Sequence, residues 1–141
     1  MMNLVEVVTH VNYWAVIVAA LSTFVVGSLW YSSLLFGKKW MILNDFTEDS
    51  LKEGVYPMPV IFGSSFIASL FAAFSLAMFL GSTGNFGIGV FSGFMIALFW
   101  ISTARLNTIL FEQQKFSLFL IHAGYDLVSY MVMGAIVGAW R

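Results

Sequence analysis

The hydrophobic positions of this chain fall in four long, nearly unbroken blocks, separated by short polar or glycine-rich breaks. The blocks are Tyr13–Phe36, Met58–Leu80, Phe86–Phe111 and Phe116–Trp140. Each reaches the length of about 20 apolar residues that a helix needs to cross a hydrocarbon core of about 30 Å. In lipid the backbone must satisfy its own hydrogen bonds, so each block must be helical. The period-2 alternation of a membrane barrel is absent. Pro57 and Pro59 open the second block, where a missing N–H costs nothing. The pattern predicts an all-α, polytopic membrane protein. It is a single domain over 1–141, a bundle of four transmembrane helices with one short polar loop between the first and second.

That loop, Gly37–Tyr56, holds Lys38, Lys39, Asp45, Glu48, Asp49, Lys52 and Glu53. Asn44 or Thr47, followed by Glu48, Asp49 and Leu51, reads as the cap of a short surface helix. Gly81–Asn85 is rich in helix breakers and predicts a tight turn. Glu112–Lys115 predicts a hairpin, and connections this short make neighbouring helices antiparallel. Residues Leu4, Val5, Val7, Val8 and Val11 could form a short amphipathic turn on the membrane surface.

Lys38, Lys39, Lys52 and Lys115 lie in the two connections on one side, and only Arg141 lies on the other. By the positive-inside rule, both charged connections are expected in the cytoplasm and both termini outside, in a bacterial inner membrane. Met1–His10 carries Glu6 and no Lys or Arg, the wrong flank for a signal peptide, so the first block is expected to stay as a spanning helix. Trp30, Tyr31, Lys38, Lys39, Trp40 and Trp140 fall near block ends and are expected to anchor the chain at the interfaces. A lipid-phosphate site is a second reading of Lys38, Lys39 and Trp40.

Close packing replaces hydrophobic drive between helices in lipid, so small residues mark contact faces. Gly89, Gly93 and Ala97 recur at spacing four on the third helix, and Ser65, Ser69 and Ala72 share a ridge on the second. Gly134 and Gly138, with Gly124 on about the same side, predict a close-packing face on the fourth helix. His122, Asp126, Ser129 and Met133 lie opposite them, as a polar face.

Arg105, His122 and Asp126 are ionisable groups inside spanning blocks, where each costs several kcal/mol unless paired or hydrated. Pairing the third and fourth helices about the Glu112–Lys115 turn sets Arg105 level with His122, about 9 Å into the membrane. Asp126 then lies one turn deeper, within reach of the arginine. The expected buried polar cluster is Arg105 with Asp126, assisted by His122, Tyr125 and Ser129, with Glu112 at its mouth. The first reading is a structural ion pair that fixes the hairpin register. Competing readings are an anionic headgroup pocket anchored by Arg105, a proton or ion relay through Asp126 and His122, and, last, catalysis.

Composition narrows these. Apolar types make up 60% of the 141 residues and charged types 9%, with a mean hydropathy of +0.91, far from soluble composition. The net charge of −1 offers no basic surface to nucleic acid. There is no cysteine, which removes disulfides, thiolate metal sites and cysteine nucleophiles. His122 and Asp126 alone are too few to hold a metal, and His10 reads as a solvated outer residue. No catalytic residue, metal or cofactor is expected.

Two separated motifs resemble a known family. Trp30-Tyr31-Ser32, then Leu35-Phe36-Gly37-Lys38 and Trp40, form the first. Leu110-Phe111-Glu112, Ala123-Gly124-Tyr125, Met133-Gly134-Ala135-Ile136 and Gly138-Ala139-Trp140 form the second. Together they resemble the small membrane proteins grouped as domain of unknown function 1761, from about Asn12 onward. Members often carry Pro where Ser33 stands and Gly-Arg where Gln113-Gln114 stand. The resemblance implies four-helix, mostly bacterial membrane proteins without an established activity.

The resulting expectation is a non-enzymatic structural or binding subunit that self-associates or joins a larger membrane complex, in contact with membrane lipid. The alternatives are a small oligomeric transporter or channel lined by Arg105, His122 and Asp126, and a lipid-headgroup-binding protein.

Overall fold

The computed structural model describes residues 3–141, and among them every regular element is helical. A short helix α1, Leu4–Thr9, precedes the first spanning helix α2, Tyr13–Trp30. Asn3 caps α1 in a reciprocal pair with Glu6, and the Asn12 side chain accepts from the N–H groups of Trp14 and Ala15 to start α2. Helices α3, Gly37–Leu43, and α4, Glu48–Lys52, form the polar connection. Thr47, rather than Asn44, caps α4.

The second spanning helix is α5, Met58–Leu80, followed by a 3-10 turn at Gly81–Thr83. The third consists of α6, Phe86–Ile96, a π-helical turn at Ala97–Ile101, and α7, Ser102–Phe111. The fourth is α8, Phe116–Ala139. These four are long and apolar enough to cross a membrane.

The first span is shorter than the block Tyr13–Phe36. The helix stops at Trp30, and the chain reverses through Tyr31–Phe36. Ser32 turns its hydroxyl onto the Leu29 carbonyl, while the N–H groups of Phe36 and Gly37 bond to the carbonyls of Trp30 and Ser32. Gly37 is required there, because a Cβ would overlap the Tyr31 carbonyl oxygen. Hydropathy continues through this turn, but the hydrogen bonding does not.

Helix α8 is central and packs on α2, on α5 and on the third span. Its contact with α6 is backbone on backbone. A Cβ on Gly89 would overlap the Gly134 carbonyl oxygen, one on Gly93 the Tyr130 carbonyl, and one on Gly138 the Asn85 carbonyl. Gly124 differs from its expected side: it faces α2, where the Trp30 indole fills the space a side chain would need. Ala15, Val16 and Ala19 of α2 meet Ala73 and Leu76 of α5 and Met133 and Val137 of α8 in the apolar core.

The π turn resets the third span. Gly89, Gly93 and Ala97 are buried at spacing four, and the next buried residue is Ser102, five further on. The Ser102 N–H reaches back to the Ala97 carbonyl, the wide bond that admits the extra residue. At one end of the bundle Asn12 donates to the Trp140 carbonyl and the Arg141 guanidinium lies over Gly84, so the C-terminus meets both the start of α2 and the α5–α6 turn.

Candidate functional site: the polar ties between spans

Arg105 and Asp126 form the central tie. Arg105 Nε donates to Asp126 Oδ2 at 2.6 Å and Nη2 to Oδ1 at 3.1 Å, a two-pronged ion pair between α7 and α8. The short Glu112–Lys115 turn sets this register. Gln113 takes the left-handed conformation, with φ of 57°, and Gln114 N–H bonds to the Ile109 carbonyl, closing α7. A glycine would adopt that backbone without strain.

His122 belongs to a different tie. Its Nδ1 is hydrogen-bonded to the Tyr31 hydroxyl at 2.6 Å, which joins α8 to the end of α2. The Tyr31 ring packs against Tyr125, and Trp40 from α3 packs edge-on against Tyr31. Tyr125 donates to the Thr23 carbonyl at 3.2 Å, again toward α2. The expected cluster therefore divides into an arginine pair facing α7 and an aromatic group facing α2. Arg105 directs Nε and Nη2 to Asp126, while His122 bonds to Tyr31.

Glu112 is not part of the buried cluster. It is the exposed residue that caps the C-terminus of α7, at the start of the turn. Ser129 is buried at 3% exposure, yet its hydroxyl has no hydrogen-bond partner among the described residues. Ser102 shares that state on α7.

Trp30, expected as an interface anchor, turns inward. Its Nε1 donates to the Ile121 carbonyl at 2.9 Å and its ring lies on Gly124. The glycine supplies the room, and the buried carbonyl supplies the partner an indole N–H needs. Tyr31 and Trp40 are likewise half-buried in the bundle, while Lys38, Lys39 and Trp140 are exposed near its ends. His10 is exposed, with Nδ1 at 2.6 Å from the Glu6 carbonyl.

Beside Asp126 lies a cleft of about 180 Å³ between α2, α5 and α8. Thr23, Ser69, Tyr125, Asp126, Ser129 and Tyr130 contribute its polar lining. Thr23 Oγ1 and Ser69 Oγ are 3.1 Å apart across its wall. Among the described residues no three His, Cys, Asp or Glu side chains converge as a metal centre would need.

An all-α bundle with four spanning-type helices, pinned by side-chain ties around α8, is the class this geometry defines. The chain belongs to the family described as Protein of unknown function (DUF1761), which matches residues 14–138. No curated protein and no solved structure matches the chain.

Proposed function

We propose that this protein is a non-enzymatic membrane subunit that associates with a second copy of itself through the outer face of α5. The supporting observation is the state of that helix. It is the least buried of the four spans, and one exposed ridge carries Ser64, Ala68 and Ser75 around Phe71, with Ala68 also edging the cleft between α2, α5 and α8. Gly63, on another side of the same helix, also has open space where a Cβ would stand. Small residues pay for themselves in lipid only where another helix approaches closely, as Gly89 and Gly134 do inside this chain.

The polar ties favour a scaffolding role over a reactive one. Arg105 with Asp126, Tyr31 with His122, Tyr125 with the Thr23 carbonyl and Trp30 with the Ile121 carbonyl each join two helices. Groups held this way are committed to the fold. The lysine count supports a topology with the α3–α4 connection and the Glu112–Lys115 turn on the cytoplasmic side of a bacterial inner membrane and both termini outside. Membrane lipid covers the remaining outer faces.

Native mass measurement in mild detergent tests the assembly. The expected mass is a multiple of the 15.7 kDa chain. Ser64→Leu, outside the Asp126 cleft, should return it to a single chain while leaving helix content unchanged. A wild-type protein that is a single chain under conditions preserving bound lipid would contradict the reading.

A further inference from the structure

We propose that the cleft beside Asp126 binds a small monovalent cation, either an alkali-metal ion or a primary ammonium group. This goes beyond the assembly reading and does not depend on it. The starting point is Ser129. Hydroxyls in spanning helices ordinarily bond back to a carbonyl three or four residues earlier. Ser22, Thr23, Ser75, Thr103 and Thr108 all do so here. Ser129 does not, although it is 3% exposed and lines the cleft. A buried hydroxyl left without a partner costs about 1–3 kcal/mol, so something in the cleft is expected to meet it.

The lining decides the chemistry of that guest. Each polar residue facing the cleft carries oxygen: the hydroxyls of Thr23, Ser69, Ser129 and the two tyrosines, and the Asp126 carboxylate. Arg105 holds Asp126 from the α7 side and is not among the lining residues. A carboxylate accepts at about four lone-pair sites, so the arginine fork leaves capacity toward the cleft. The Tyr125 and Tyr130 rings add faces that attract cations. A divalent ion would want several carboxylates, and only one is present. An anion would meet a carboxylate, and the one cationic group beside it, Arg105, is turned onto that carboxylate from outside the lining. The volume of about 180 Å³ admits a small ion with some of its water, or a methylammonium-sized group.

The chain has no cysteine, so a single introduced thiol reports on one position. Ser129→Cys is reconstituted in lipid nanodiscs and treated with methanethiosulfonate reagents bearing an ethylammonium or an ethylsulfonate group. Each rate is divided by the reagent's rate with a free thiol. The cationic reagent is expected to react at least about twofold faster, because the oxygen lining and the near side of the Asp126 carboxylate attract it while Arg105, on the far side, offsets part of that charge. Absence of labelling, or equal corrected rates, would overturn the proposal. The wild-type protein provides the second measurement, its thermal midpoint in sodium chloride or methylammonium chloride against N-methylglucamine chloride at equal ionic strength. A rise with sodium alone assigns an alkali ion, and a rise with methylammonium alone assigns an ammonium group. Ala72→Leu, which adds bulk to the cleft from its α5 wall, should abolish the rise. No rise with either cation, or a rise that survives Ala72→Leu, would also overturn it.

Discussion

Removing Arg105 should destabilise the bundle far more than removing Asp126, although each deletes the same ion pair. The reason is the unequal burial of the two side chains, 35% exposed for Arg105 and 7% for Asp126. Arg105→Leu strands a carboxylate inside the bundle, and an acidic group at membrane depth costs about 2.5–3.5 kcal/mol. Asp126→Leu strands a guanidinium that already reaches the surface and can snorkel outward, which holds the cost near about 1 kcal/mol. The double variant Arg105→Leu/Asp126→Leu leaves neither charge behind, and replacing a buried pair by apolar side chains is often neutral. It should therefore lie within about 1 kcal/mol of wild type, a coupling of about 3 kcal/mol. Equilibrium unfolding of the four proteins in lipid bicelles measures all three differences. Additive single effects, or an Asp126→Leu loss as large as that of Arg105→Leu, would refute the argument from burial.

Three further outcomes follow from other contacts. Gly89→Ala should cost at least about 2–3 kcal/mol in the same unfolding assay, since the new methyl overlaps the Gly134 carbonyl oxygen and backbone rather than a side chain must move. Tyr31→Phe and His122→Phe should each weaken the bundle, with a coupling of about 0.6 kcal/mol in a double-mutant cycle, the typical strength of a side-chain hydrogen bond in a membrane protein. Gln113→Gly should stabilise by up to about 1 kcal/mol, because it relieves a left-handed backbone at φ of 57°. A loss of stability on that substitution would show that the Gln113 side chain contributes more than its backbone strain.

Much of this arrangement was legible because it depends on length and short connections. The four-residue turn at Glu112–Lys115 leaves one antiparallel register for the third and fourth helices, and that register brings Arg105 within reach of Asp126. The partner of His122 was not legible in the same way. Tyr31 reaches it only because α2 stops at Trp30 and the chain folds back, a break made by Ser32 and Gly37 within an apolar block. Trp30 sits at a run end, which reads as an interface position, but the room above Gly124 draws it inward. The π turn carries no marker, since Ala97–Ile101 is uniformly apolar and the extra residue shows only in the backbone bonding. The Ser129 cleft also depends on how three helices splay, which spacing along one helix cannot report.

Association through α5 is tested most directly by cross-linking in native membranes, again using the absence of cysteine. Ser64→Cys and Ala68→Cys point outward from the proposed contact, and Phe91→Cys points outward from α6 as the comparison. A disulfide requires Cα atoms within about 7 Å, so it forms only where two copies meet closely. The account predicts a dimer band on oxidation for Ser64→Cys or Ala68→Cys and none for Phe91→Cys. Equal cross-linking at all three positions, or none at Ser64 and Ala68, would contradict it.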